Sequence, residues 1–487
     1  MAAKHPVTLR PTNPESGDVV AAAGLSGRFD AIRAELEVPG EFPAEVVAEA
    51  ERVAATPLST PERDESDVPF LTIDPPGSMD LDQAMHLERD GDGYRVRYAI
   101  AHLESFVEPG GAIDAEARRR GQTIYAPDQR TPLHPPVLSE GAASLLPGET
   151  RPAYVWDIRL DARGEHTAAE VRPALVRSVD RLEYTAVQES IDAGTDDERL
   201  VLLKEIGEKR IALEQERGGA SLPMPDQQVE EVEGGFRLHL RPLVPAEDWN
   251  AQISLLTGMV AADMMLAAGV GILRTMPPPQ ERAINQLRRV ARALGVDWPE
   301  GTDHGAFLRS LDGRDPRHLA LIHESTVLFR GAGYTAFDGE LPELVEQAAI
   351  GAPYAHVTAP LRRLVDRFGL ALCAALSAGG EVPAWVREAL PQLPELMEAS
   401  DRRAGGVERA TTDAVEAATL ADRVGQDFVA VVVDVPEGKD DAGALDVQLL
   451  DPPVLARAKG AAGLGAEVTV RLTQVDLATG TVDFEVA

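Results

Sequence analysis

The apolar residues of this chain change their spacing twice, and that limits the possible folds more than any other feature. Pro69-Phe70-Leu71-Thr72-Ile73-Asp74 and Tyr94-Arg95-Val96-Arg97-Tyr98-Ala99-Ile100 read as strands, with Asp90-Gly91-Asp92-Gly93 as a turn. Residues 153–160 and 170–179 continue the pattern. The spacing then becomes helical over residues 196–217, 249–273, 279–294, 315–329 and 383–424. Strands return at 428–435, 444–450, 467–474 and 481–486. This order predicts an α+β protein with more than one core, ending in a small Greek-key barrel of the OB type. The expected division is a helical N-terminal region with a polar linker over residues 1–67, a mixed α+β domain over 68–424 and the barrel over 425–487.

Charge narrows the function. The formal net charge is −33, so global attraction cannot bind nucleic acid, which needs clustered Lys and Arg against phosphates. Any RNA-directed reading must rest on a local basic channel or on metal ions. The single cysteine, Cys373, sits in the apolar run Leu370-Ala371-Leu372-Cys373-Ala374-Ala375-Leu376 and reads as buried filler. It excludes an intrachain disulfide framework and fits a reducing compartment. Met1-Ala2-Ala3-Lys4-His5-Pro6-Val7-Thr8 has no apolar run of signal-peptide length, and no stretch of about twenty apolar residues is evident. The expectation is a cytoplasmic protein, monomeric and without membrane contact.

The densest chemistry lies in Thr72-Ile73-Asp74-Pro75-Pro76-Gly77-Ser78-Met79-Asp80-Leu81-Asp82-Gln83-Ala84. Alternate residues of an extended segment point the same way. Asp80 and Asp82 are therefore expected to face one pocket, with the short Pro-Pro-Gly loop folding Asp74 back beside them. Packed carboxylates repel unless protonated or neutralised by a cation. Magnesium is the hard, oxygen-seeking candidate, and it leaves positions for water and phosphate. Taken alone the pattern stays open, because solvated loops and sugar-nucleotide transferases also carry Asp-x-Asp.

The surroundings make it specific. Thr72-Ile73-Asp74, the Asp80-x-Asp82-x-Ala84 pair, Ala99-Ile100-Ala101 and Val107-Glu108-Pro109-Gly110 follow one another in order. Asp114, Arg120-Gly121, Tyr125-Ala126-Pro127-Asp128 and Pro132-Leu133-His134-Pro135 continue the series. Far downstream stands Tyr354-Ala355-His356-Val357-Thr358-Ala359-Pro360-Leu361-Arg362-Arg363, followed by Asp366. In these two distant blocks the chain resembles the ribonuclease II (RNB) family of exoribonucleases, over roughly residues 68–410.

That resemblance implies an RNB catalytic domain, a mixed sheet whose surrounding helices enclose a channel. It also implies hydrolysis of single-stranded RNA from the 3′ end at a magnesium site where manganese can substitute. Asp74, Asp80 and Asp82 match the family's metal carboxylates, Asp82 being the one most needed for chemistry. Gln83 stands where the family has a fourth Asp. Tyr125 resembles the aromatic that stacks on the terminal base, and Arg362 the arginine on the scissile phosphate. Arg363 is expected to support Arg362 or pair with Asp366. Tyr354, His356 and Thr358 are expected to shape the channel floor. Ala359 and Leu364 replace a serine and an aromatic, while Gln252 and Gly258 are placed where the family has Glu and Asn. His102, where the family has Asp, reads as structural. The short N-terminal region cannot form the cold-shock barrels common in the family. An RNB-fold RNA-binding protein without the chemistry is the alternative.

Overall fold

The computed structural model describes residues 19–487 apart from residues 57–60, 62, 221–225, 233–234, 242, 314, 437–442 and 453. The N-terminal segment read for a signal sequence, and part of the expected linker, lie outside the described residues.

Strands Phe70–Asp74, Gln83–Asp90, Gly93–Ala101, Thr150–Leu160 and His166–Glu183 close into a five-stranded barrel. All neighbours are antiparallel except Phe70–Asp74, which runs parallel to the end of His166–Glu183. The sheet is mixed, as expected, and closed. Alternation sorts its side chains into two faces. Tyr94, Val96, Tyr98 and Ile100 pair across from Leu160, Ile158, Trp156 and Tyr154 and pack against helices. The intervening Ala99, Ala153, Val155 and Ala174 join Phe70 and Leu81 in a separate cluster of mostly small side chains.

Helix Pro245–Ala268 buries Trp249, Ile253, Leu256 and Val260 in the main core. By length and apolar content it could cross a bilayer, so the reading that no such stretch exists is corrected. Its buried face makes it a core helix. The helix expected to reach residue 273 stops at Gly269, whose φ of 69° is left-handed. Val270–Thr275 is instead a strand paired with Gly333–Asp338. Helix Leu364–Ser377 begins directly after the Arg362-Arg363 pair and buries Cys373, which pushes its thiol well up.

The C-terminal strands Asp427–Asp434, Ala444–Leu449, Leu455–Lys459, Glu467–Asp476 and Thr481–Val486 form a second closed barrel, adjacent in the order first, second, third, fifth, fourth. The third was not expected, because Leu455-Ala456-Arg457-Ala458-Lys459 carries alanines in place of strong strand formers. Helix Ala22–Glu35 supplies Leu25, Phe29 and Ile32 to the same core as Phe428 and Phe484. The two barrel aromatics are thus packing residues. Helix Ala44–Ala55 instead joins Leu103, Ile113, Leu138 and Leu361, beneath the loops described next.

Candidate active site

Asp82 leads directly into strand Gln83–Asp90 and is 2% exposed. Its two carboxylate oxygens accept from the Leu361 amide at 2.7 Å and from Arg362 Nε at 3.2 Å. The Asp-x-Asp segment and the downstream arginine block, far apart in sequence, therefore meet through one side chain. Burial pushes the Asp82 carboxyl up to about 8; Arg362 and the Leu361 amide oppose the rise, while Asp366 and Asp80 add to it. Asp74, at the end of its strand, is raised to about 6 by burial, against the pull of Arg362 and Arg181 and with a push from Asp80.

Asp80 is held differently. Arg130 Nη1 lies 2.9 Å from it, and the Tyr125 hydroxyl donates to it at 3.4 Å. Tyr125 and Arg130 face each other across a two-residue-per-strand hairpin, which directs both toward this carboxylate. Arg130 went unread in the sequence. Its signal was its position opposite Tyr125, five residues on around a Pro-Asp turn.

The three carboxylates lie within electrostatic reach of their neighbours, but they do not converge as the sequence suggested. Among the described residues no three His, Cys, Asp or Glu side chains are grouped to hold a metal ion. Mutual repulsion gives the reason: Asp82 takes Arg362 and Asp80 takes Arg130 as cationic partner. The donor chemistry still fits a hard divalent ion, since every candidate ligand offers oxygen. Two guanidinium groups stand where a cation's charge would serve. Gln83 donates from Nε2 to the Thr358 carbonyl at 2.5 Å, so its oxygen is the end of the amide that could meet a cation.

Arg362 is 49% exposed and shares a cleft of about 310 Å3 with Tyr125, Gln122, Thr123, Arg363 and Glu408. Tyr125 is 53% exposed. Arg363, by contrast, gives two hydrogen bonds to Asp366, at 2.5 and 2.8 Å, and so fixes the start of helix Leu364–Ser377. Tyr354 and Thr358 are buried behind the cleft. His356 accepts or donates at Nδ1 to the Tyr334 hydroxyl at 2.7 Å, and burial with Arg363 and Arg274 nearby keeps it neutral. Gly258 has a use the sequence did not reveal: a Cβ there would lie 2.1 Å from the Tyr354 ring. Gln252 is buried and turned to Glu214 at 2.6 Å. His102 bonds Ser105 at 2.8 Å and packs on Tyr154, as a structural histidine should.

A deeper layer also escaped the sequence reading. Arg367 and Asp114, each about 1% exposed, pair at 2.7 Å, and Arg367 further donates to the Val107 carbonyl. This pair links helix Ala112–Arg120, which leads to the Tyr125 hairpin, with the helix that follows Arg362.

Residues 62–371 match the model of the RNB domain, and residues 426–487 that of the RNase II-type exonuclease C-terminal S1 domain. Ribonuclease R of Escherichia coli is 28% identical over 360 residues, covering 68% of this chain and 42% of that protein. Ribonuclease R of Thermotoga maritima is 25% identical over 496 residues, covering 93% and 69%. The chain spans about half the length of the first curated relatives it matches. Among solved structures, Mycoplasma genitalium RNase R in complex with ribose methylated single-stranded RNA has a TM-score of 0.83 at 17% identity, covering 94% of this chain and 77% of that one. Yeast Ssd1, described as a pseudonuclease, has a TM-score of 0.70 at 15% identity, covering 92% and 58%. With more than half of its length matched by the RNB model, this chain belongs to the RNB family, and its terminal barrel is an RNase II-type S1 domain.

Proposed function

We propose that the chain is a magnesium-dependent 3′→5′ exoribonuclease that hydrolyses single-stranded RNA and releases nucleoside 5′-monophosphates, acting as a cytoplasmic monomer. The contact that carries this reading is Arg362 on Asp82: one half-exposed guanidinium beside a buried carboxylate, with Asp74 and Asp80 close enough to shift the local charge balance. Phosphodiester hydrolysis needs both halves of that arrangement. Asp74, Asp80, Asp82 and the Gln83 oxygen are the groups that would hold the magnesium ion, or manganese in its place. Bound there, the ion supplies an activated water and positive charge for the leaving oxygen.

Arg362 would hold the scissile phosphate, where a planar guanidinium can donate to two oxygens and stabilise developing charge. Asp82 orients it through Nε. The exposed Tyr125 ring offers a stacking face to the terminal base, which suits a sequence-tolerant enzyme because every base has a π-face. Arg363, locked to Asp366, keeps the Arg362 segment in register, and Tyr354, His356 and Thr358 support the floor from behind. The relatives named ribonuclease R and the RNA-bound Mycoplasma structure agree with an RNA substrate.

The second reading is an RNB-fold RNA-binding or regulatory protein with impaired catalysis. Gln83 in the fourth carboxylate position favours it, and yeast Ssd1 is a pseudonuclease on a similar fold. A 5′-labelled single-stranded oligonucleotide with magnesium or manganese separates the two. Progressive loss of nucleotides from the 3′ end, with monophosphates appearing, supports the enzyme. Intact RNA that remains bound supports the alternative.

A further inference from the structure

Arg130 does more than pair with Asp80. Its other terminal nitrogen, Nη2, lies 2.7 Å from Glu140, so a single guanidinium bridges two carboxylates. Glu140 belongs to the short turn Leu138–Ala142, outside the Asp74–Gln83 segment, and is 26% exposed. Arg130 also lines a cavity of about 620 Å3 bounded by Arg33, Phe42, Arg120 and Gln129. The two bridges use different terminal nitrogens, so the head group keeps a carboxylate partner in Glu140 when Asp80 is released.

We infer that Arg130 is a displaceable counter-cation for Asp80: it neutralises the carboxylate, and it yields that carboxylate to a divalent cation by withdrawing onto Glu140. This rests on the proposal that Asp80 helps to hold a divalent ion. Arg130 is a positioning residue, since it acts only through Asp80. The physical argument concerns charge. A guanidinium on one oxygen of a carboxylate and a divalent ion on the other repel each other, so Arg130 seated on Asp80 Oδ1 weakens the hold of that carboxylate on the ion. Moving the arginine would leave it unpaired if Asp80 were its sole partner, and Glu140 removes that penalty. Glu140 therefore sets how readily Asp80 becomes available, although it never touches the ion.

Calorimetric titration with Mn2+ alone tests this in wild type, Arg130→Gln, Glu140→Gln and the double variant. Removing the arginine should tighten Mn2+ binding on the order of tenfold. Glu140→Gln should weaken it several-fold. In the Arg130→Gln background, however, Glu140→Gln should change the affinity by less than about twofold, because no arginine remains to be seated. The inference is overturned if Arg130→Gln binds no tighter than wild type, if Glu140→Gln has the same effect in both backgrounds, or if none of the four proteins binds Mn2+. RNA trimming by the wild type is measured in parallel. Trimming without the arginine effect removes this role and leaves the nuclease reading standing; the coupled Mn2+ pattern without trimming does the reverse.

Discussion

The Gln83 side-chain amide donates to the Thr358 carbonyl at 2.5 Å across 275 residues of sequence. A carboxylate in that place could not make this bond, because an ionised Asp only accepts. The residue that departs from the family's acidic pattern therefore ties the Asp-x-Asp segment to the arginine block.

Replacing Gln83 with Asp should accordingly have two opposite effects. Divalent-ion affinity should rise, since a fourth charge joins the site. Without metal the variant should lose about 1–3 kcal/mol in urea unfolding, because a carboxylate then faces an unpaired carbonyl. A variant as stable as wild type would show that the bond to Thr358 contributes little.

Asp82 and Asp114 are both buried acids, and they should fail differently. Asp82→Asn keeps an acceptor for the Leu361 amide and should fold normally, bind RNA and lose hydrolysis. Asp114→Ala leaves Arg367 buried and uncompensated, which costs about 3–5 kcal/mol and should appear as a lower melting temperature with activity lost only in proportion to folded protein. Arg362→Gln should resemble Asp82→Asn, with kcat reduced on the order of 10²-fold. Melting curves beside single-turnover assays distinguish the two classes.

The contrast explains what the sequence could and could not reveal. Strand periodicity showed most of both barrels, since alternation is a local property, but Gln83–Asp90 was missed where charged residues crowd the strand, and Leu455–Lys459 because its alanines carry no strand preference. The motif order placed Asp82 and Arg362 in one site. It could not show how three repelling carboxylates divide the available cations, because Arg130 reaches Asp80 only through a hairpin register. Nor could spacing reveal that Tyr354 and Thr358 lie behind the cleft, where burial is decided by neighbours distant in sequence.

Gly258 tests that buried layer. Its missing side chain admits the Tyr354 ring, and a Cβ would also lie 2.6 Å from the Ala355 carbonyl. Gly258→Ala should therefore destabilise the protein by about 1–3 kcal/mol despite alanine's better helix propensity. It should also shift the aromatic proton signals of Tyr354 and His356, whose rings are 5.4 Å apart. An unchanged spectrum would mean the helix moves as a unit to make room.

A last prediction concerns the contact between the RNB domain and the S1 barrel. Helix Pro316–Ser325 places Leu319 against Val431 and Val433, and beside this apolar contact Glu324 faces Asp434. Burial and then the Asp434 charge raise the Glu324 carboxyl to about 7. In the unfolded chain it ionises near 4.5, so the contribution of protonated Glu324 is fully present below that pH and is lost as pH rises through 7. Glu324→Gln removes the penalty that ionisation imposes. The variant should gain about 1 kcal/mol at pH 8.5 after allowing for solvent screening of a half-buried pair, and close to nothing at pH 4. Melting temperatures of both proteins across that range provide the check. An equal gain at both ends would mean that packing of the glutamine, and not the ionisation of Glu324, changes the stability of the interface.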